Sequence, residues 1–235
     1  MVNFADIKEF IDGLDDINNM QMLQEYFTAG IKPLGFDKHT CLSLVDMNNP
    51  PANAIMLFAF PEAWVAHYKD ERYYEDDVVL KSIFRSIRPC LWGELTRLDF
   101  RNQQIFSEAQ EFGIRNGMTI PLLLPGYYPT TINIAGDHPD VDPLAYHALH
   151  LMAVHYHHTV IRISSAGLRL PVLSTQQTQC LIWAARGKSD HDIGQILTIA
   201  PRTVNHHIER VREKLAVRTR AQAIALAITC GLITP

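Results

Sequence analysis

The chain has 235 residues, 47% of them hydrophobic and 20% charged, with a net charge of −4. Those values fit a globular protein able to bury one or two cores and exclude a low-complexity chain. No apolar run approaches the ~20 residues of a membrane span, and the acidic, amphipathic start MVNFADIKEF lacks the basic start and apolar core of a signal peptide. Cys41, Cys90, Cys180 and Cys230 are scattered and form no CxxC pair. That argues against a disulfide framework or a zinc site and fits a reducing cytoplasm. The charge is uneven. Residues 173–235 hold eight Lys/Arg and four acids, so a basic tail of +4 follows an acidic body of −8, and only the tail is suited to a polyanion.

In chain order, Phe4, Ile7, Phe10, Ile11 and Leu14, then Ile17, Met20, Leu23 and Phe27, fall at helical spacing and predict two amphipathic helices, with Gly30 and Gly35 as stops. TCLSLVDM (40–47) and AIMLFAF (54–60) read as strands around the turn NNPPAN. Pro61 is suited to the first turn of a helix carrying Trp64 and Tyr68. A second helix is expected over 76–87, with Val78, Val79, Ile83 and Phe84 inward. CLWGEL (90–95) reads as extended, 101–112 as a helix ending at Gly113. MTIPLLL and TTINIAG read as strands joined by a loop containing PGYYP, and 141–163 as a long helix. This order predicts an α+β fold, an N-terminal α-β-α sandwich with a central antiparallel sheet of about five strands. SSAGLRLPV (164–172) reads as a linker between a first domain, 1–163, and a second, 173–235. The second shows four helical patterns, about 174–186, 190–197, 201–215 and 219–230, the outline of an all-α helix-turn-helix domain. The histidines at 147, 150, 155, 157 and 158 share no clear face of the long helix, so no metal site is expected.

The second domain resembles the DNA-binding domain of LuxR-type (GerE-type) transcription factors. The matching elements are LS at 173–174, Leu181, Trp183, GKS at 187–189, DIGQIL at 192–197, PRTVNHHI at 201–208, KL at 214–215 and the closing GLI. Leu181, Ile193, Ile196, Leu197, Ile199, Val204, Ile208, Val211 and Leu215 are its expected core. The helix starting near Pro201 would be the recognition helix in the major groove, with Asn205 suited to reading base edges. Lys188, Arg202, Thr203, His206 and Arg210 are suited to phosphates, and His207 to packing or bridging backbone. Gln177, Asn205 and Glu209 depart from the residues frequent in the family.

The stretch FPEAWVAHYKDERYYEDD (60–77) concentrates aromatics and acids. Aromatics at helical spacing pack in cores more often than they line pockets. The family's signal-binding domain, however, has a Trp, a Tyr four residues later, an Asp nine after that and a second Trp fifteen further on, lining an acyl-homoserine lactone pocket. Trp64, Tyr68, Asp77 and Trp92 stand at those spacings, and FGIRNGMTIPL (112–122) is similar to the block that follows, with Gly117 at its glycine. The resemblance implies that Trp64 donates to the lactone carbonyl and Tyr68 to the acyl amide carbonyl. Asp77 would accept from the amide N–H, and Trp92 would pack on the head group. Tyr73, Val79, Leu80, Phe106 and Ile134 would wall the apolar part. Val78, Phe60 and Asn133 depart from the usual Pro, Tyr and Ser or Thr, which leaves the identity of the signal open.

The expected function is a ligand-responsive, DNA-binding regulator of quorum sensing. It would act as a homodimer on a two-fold promoter site, its long helix 141–163 and last helix 219–230 making the dimer contacts, with no cofactor beyond the small-molecule signal. The alternative is a solo regulator of the same family answering a non-lactone signal or none. A response regulator would need a receiver of alternating strands and helices, which the helical start does not provide. An enzyme would need a nucleophile elbow, phosphate loop or metal signature, and none is present.

Overall fold

The computed structural model describes residues 4–84, 86–96, 98–137, 143–164 and 169–235. The chain divides into two compact units. The first is Met1–Leu122 with Thr130–Leu168, and the second is Leu123–Pro129 with Arg169–Pro235.

The first unit opens with α1 (Phe4–Gly13) and α2 (Met20–Ile31). Asn19 caps α2 by accepting from the Gln21 and Met22 amides. Gly30 does not stop this helix but lies within it, because a Cβ there would come within 2.5 Å of the Phe10 ring; it is a packing glycine. Gly35, at φ +93°, does end the turn that follows. Five antiparallel strands come next in the order β2-β1-β5-β4-β3: β1 (Lys38–Ser43), β2 (Met56–Ala59), β3 (Cys90–Leu91), β4 (Asn116–Leu122) and β5 (Thr130–Gly136). The strand expected over 90–95 is two residues long, and Trp92–Glu94 turn into a 3-10 helix. The strands expected over 40–47 and 54–60 are likewise shorter.

Between β2 and β3 lie α3 (Glu62–Asp70) and the short α4 (Val78–Lys81), which continues as a 3-10 turn to Phe84. Pro61 stands at the N-cap of α3, one residue before its expected place. The helix expected over 76–87 is therefore only partly formed. The Phe84 side chain and residue 85 lie outside the described residues, and Ile87 is exposed. Asp99 caps α5 (Phe100–Gln110), and α6 (Pro143–Ser164) closes the unit, while residues 141–142 lie outside the described residues.

Strand alternation gives the sheet two different faces. His39 is buried against α2 and α6: its ring contacts Thr28 Oγ1 at 3.2 Å and the Tyr156 hydroxyl at 3.1 Å. The Phe27 ring packs edge-on against His39 and at a tilt against Tyr156. Desolvation pushes the His39 pKa down to about 4, so the ring is neutral. Arg162 ties α6 to the end of α1 by donating to the Leu14 and Ile17 carbonyls, each at 2.8 Å. The other face carries Thr40, Asn133 and Thr119 in register, beneath α3, α4 and α5.

The second unit has four helices: α7 (Thr175–Ala185), α8 (Asp190–Leu197), α9 (Pro201–Lys214) and α10 (Arg220–Thr229). Ser174, Ser189 and Thr219 each form a capping box that marks a helix start. Leu181, Ile193, Val204, Ile208, Val211 and Leu215 are buried together with Cys180, Ala184, Ala223, Ala227 and Ile233; Leu197 and Ile199 pack at the edge. Ile196, expected in this core, is exposed instead, because the inward stripe of α8 falls on Ile193 and Gly194. The segment Leu123–Pro129 is held by the Gly126 amide donating to the Cys230 carbonyl and the Leu170 amide donating to the Gly126 carbonyl, both at 2.8 Å.

Candidate signal-binding cavity and nucleic-acid interface

A cavity of about 70 Å³ lies between the polar face of the sheet and helices α3 to α5. Trp64, Tyr68, Asp77, Trp92, Asn133, Val79, Phe60 and Phe106 all line it, with Leu80. Thr40, Leu42, Met47, Phe58, Val65, Ile105, Ala109 and Ile114 complete the wall. The lining is mostly apolar with a few convergent polar groups, the usual character of a small-molecule site.

Two expected wall residues lie elsewhere. Tyr73 is fully buried behind Trp64, and its hydroxyl donates to Glu108 at 2.6 Å. Glu108 also contacts His67 at 2.6 Å and accepts from Gln104 at 2.8 Å. These bonds, Tyr73 first, pull the Glu108 pKa down to about 2 and pin α3 to α5. Ile134 alternates to the opposite face of the sheet from Asn133, so it packs under the helices of the other layer.

At one end of the cavity Asp77 is buried, with both carboxylate oxygens bonded. Oδ1 caps α4 through the Val79 amide at 2.8 Å, and Oδ2 accepts the Tyr68 hydroxyl at 2.7 Å. Burial raises the Asp77 pKa, and the bonds from Tyr68 and Val79 oppose that rise without cancelling it. Burial, then the adjacent Asp77, hold the Tyr68 phenol protonated far above its ordinary range. Tyr68 has a single hydroxyl proton, and here it is donated to Asp77. The Asp77–Tyr68 pair thus presents spare acceptor capacity to the cavity.

Trp92 is seated by Gly117. A Cβ there would stand 2.3 Å from the Ile134 carbonyl and 3.0 Å from the Trp92 ring, so only glycine admits the indole so close to β4. The Trp92 indole N–H donates to Thr119 Oγ1 at 2.8 Å. Thr119 then donates to Asn133 Oδ1 at 2.8 Å, and Asn133 Nδ2 donates to Thr40 at 2.9 Å and Thr131 at 3.2 Å. Asn133 is therefore a sheet-spanning connector. Thr40, Thr119 and Thr131 are absent from the expected site, yet the signal existed. In TCLSL, MTI and TTINI a hydroxyl or amide alternates with a large apolar residue, which puts the polar groups on one face.

In the second unit α8 and α9 form a helix-turn-helix. Thr198 adopts a left-handed conformation at φ +56°, and a Cβ on Gly194 would meet the Ile199 carbonyl at 2.7 Å, which fixes the tight turn. Pro201 opens α9, whose Val204, Ile208 and Val211 stripe faces the core. Arg202, Thr203, Asn205, His206 and Arg210 are all exposed on the opposite side, as is Lys188 before α8. Arg210 is paired with Glu213 at 2.8 Å in the open, a bond weak enough to yield to a phosphate. His207 is half-buried, with no protein partner for Nε2 among the described residues. Gln177 stands where the family has a Glu, so the charge expected there is absent. It completes the α7 capping box and accepts from Lys214 at 2.9 Å.

A mostly apolar cavity with a few convergent polar groups against a five-stranded antiparallel sheet, joined in one chain to a helix-turn-helix with an exposed polar recognition face, outlines a transcription regulator with a small-molecule-binding domain. The comparisons agree. Residues 19–160 match the model of the autoinducer binding domain, and residues 171–227 match that of the bacterial regulatory proteins, luxR family. The chain belongs to the LuxR family. It is a LuxR-type quorum-sensing transcription regulator, with an autoinducer-binding and a DNA-binding domain, and not an enzyme.

The transcriptional activator protein BjaR1 of Bradyrhizobium diazoefficiens is 26% identical over 231 residues, 97% of this chain and 96% of its own. RpaR of Rhodopseudomonas palustris, a quorum sensing-dependent transcriptional regulator, is 28% identical over 232 residues, covering 96% and 93% of the two chains. Among solved structures, Escherichia coli SdiA superposes with a TM-score of 0.71 over 99% of each chain at 21% identity, a likeness of fold. SdiA in complex with octanoyl-rac-glycerol gives 0.69 over 100% of this chain and 99% of that one, at 21% identity. Among the described residues no helix is long and apolar enough to cross a membrane.

Proposed function

We propose that the cavity binds an acyl-homoserine lactone or a similar small amphiphilic signal, and that the protein controls promoters as a homodimer. The observation that carries this reading is the convergence of Trp64, Tyr68, Asp77 and Trp92 on one mostly apolar cavity with a buried, hydrogen-bonded carboxylate at its end. A buried carboxylate is costly unless its lone pairs are met, and an amide N–H of the signal supplies a further donor. The acyl chain lies against Leu42, Phe58, Val79, Ile105 and Phe106.

The DNA contacts come from α9. Asn205 reads a base edge, and Lys188, Arg202, Thr203, His206 and Arg210 hold the backbone. A two-fold dimer sets the two recognition helices about one helical turn, ~34 Å, apart. Leu144 and Leu151 on α6 and Ile228 on α10 are exposed apolar residues on the helices expected to make the dimer contact.

The test is expression with and without a panel of acyl-homoserine lactones, followed by melting temperature and the mass of bound ligand. Stabilisation by at least one lactone with that lactone in the mass spectrum is expected. No shift with any lactone overturns the lactone reading and favours the solo-regulator alternative.

A further inference from the structure

α1 and α2 meet through stripes of the same spacing. Asp6, Glu9, Phe10 and Gly13 lie on one stripe of α1, and Tyr26, Ala29, Gly30 and Pro33 on one stripe of α2 and the 3-10 turn after it. Each stripe sets a glycine against the other's aromatic ring. A Cβ on Gly13 would stand 2.2 Å from the Tyr26 hydroxyl, and one on Gly30 would stand 2.5 Å from the Phe10 ring. The two rings stack at 5.0 Å, and the Tyr26 hydroxyl donates to the Phe10 carbonyl at 3.1 Å. Around this pair lies a groove of about 320 Å³, more than four times the volume of the cavity under α3 to α5. Small-molecule sites span about 300–1,000 Å³.

The walls of the groove are apolar: Ile7, Phe10, Ala29, Pro33, Leu34 and Met152. Its charged side chains are Asp6 and Glu9, and no cation is among the lining residues. Lys8, between them in sequence, pairs with Asp12 instead. Glu9 acts on the groove itself, because burial first and the Glu9 carboxylate second push the Tyr26 phenol above its ordinary range. A cleft lined by charge of one sign concentrates the opposite sign. The Tyr26 oxygen has given its proton to the Phe10 carbonyl and keeps lone pairs for a further donor. We infer that the groove between α1 and α2 is a second small-molecule site and that it takes a compact apolar monoamine. The ammonium sits at Asp6 and Glu9, and the hydrocarbon body rests on Phe10, Leu34 and Met152. The site does not depend on the identity of the signal bound under α3 to α5.

The probe is adamantylamine, with adamantanol as its neutral counterpart of nearly the same shape. Amide chemical shifts of the full chain are followed in titrations of wild type, Glu9→Gln and Ala29→Leu. Both positions are exposed on their helices, and both new residues are good helix formers, so the variants fold. In wild type the amine is expected to move the amides of Ile7, Phe10, Ala29 and Gly30 to saturation. Glu9→Gln should weaken it about two- to fivefold, the range of one exposed ion pair. Adamantanol, which loses both carboxylates as partners, should bind more weakly by at least that factor. Ala29→Leu, which fills the groove, should abolish binding. Equal affinity for amine and alcohol, undiminished affinity in either variant, or shifts confined to the cavity under α3 to α5 overturn the inference, as does no binding at all. Movement of the same amides with protein concentration alone means that a second copy covers the groove, and it overturns the amine site too.

Discussion

Asp77→Asn separates what the carboxylate does for the fold from what it does for the signal. Asparagine ranks with aspartate as an N-cap, so the bond to the Val79 amide survives. The Tyr68 oxygen can accept from the new amide group in place of donating. What disappears is a charge whose burial raises its pKa. A raised carboxyl pKa means that folding takes up protons between the unfolded and folded values. Stability therefore falls as pH rises through that window, and at pH 7 the ionised group weakens the fold.

The variant without ligand is expected to be as stable as wild type or up to ~1 kcal/mol more so, an upward shift of at most about 2–4 °C for a unit of this size. The signal, in contrast, loses a charged acceptor worth ~1.5–3 kcal/mol, or about 10- to 150-fold in affinity. Ligand at one hundred times the wild-type dissociation constant stabilises wild type by ~2.7 kcal/mol. It stabilises a variant that binds a hundredfold more weakly by only ~0.4 kcal/mol. Thermal melts at pH 7, with and without a binding lactone, measure both quantities. A fall of more than ~4 °C in the unliganded variant, or a ligand-induced shift equal to that of wild type, would refute the reasoning.

Glu108→Gln removes a carboxylate held near 2 by Tyr73 and His67. Its stabilisation is present above the unfolded value near 4.5 and is lost as pH falls toward 2. Urea denaturation across that range should show the variant ~1–2 kcal/mol less stable at neutral pH, after allowance for solvent screening, and without that part of the acid limb; an unchanged acid limb counts against the assignment. Gln177→Glu gives Lys214 a charged partner and places an acid in the first turn of α7, so the full chain should gain ~1 kcal/mol in a denaturant titration. A loss of stability would mean that desolvation of the new carboxylate outweighs the pair. On DNA, Asn205→Ala should change base preference at one position. Arg210→Ala should weaken binding to all sequences and reduce the salt slope by about one, as read by anisotropy at several salt concentrations; a sequence-selective loss in the arginine variant would reverse the two roles.

The second unit was legible nearly residue by residue. Its helices are strongly periodic, and capping residues such as Ser189 and Thr219 announce their starts. Ile196 was misread because α8 is only eight residues long, too short for periodicity to tell the edge of the apolar stripe from its centre. In the first unit the strands were placed in order but drawn too long. Leu44 to Met47 and Trp92 to Leu95 carry strand-like residues, yet neither stretch pairs in the sheet. Trp64, Tyr68, Asp77 and Trp92 were legible through the family resemblance, since helical spacing alone assigns such aromatics to a core. Thr40 and Thr119 were not, because they come together only through the register of β1, β5 and β4, a long-range property that no local window contains. Tyr73 was misassigned for the related reason that its partner, Glu108, is thirty-five residues away.

The alternation of the sheet bears on how such a receptor can change. Along β1 and β5 Thr40, Leu42 and Asn133 line the cavity, with Thr131 on the same face, while His39, Cys41, Ile132 and Ile134 between them hold the helical layer. Every second codon in these strands therefore addresses the cavity face, and the intervening codons address the helical layer. A lineage can retune its chemical dialect by substitutions at one parity and leave the packing that keeps the molecule folded almost untouched. A single-residue insertion in β1 would exchange the two alphabets and scramble both at once.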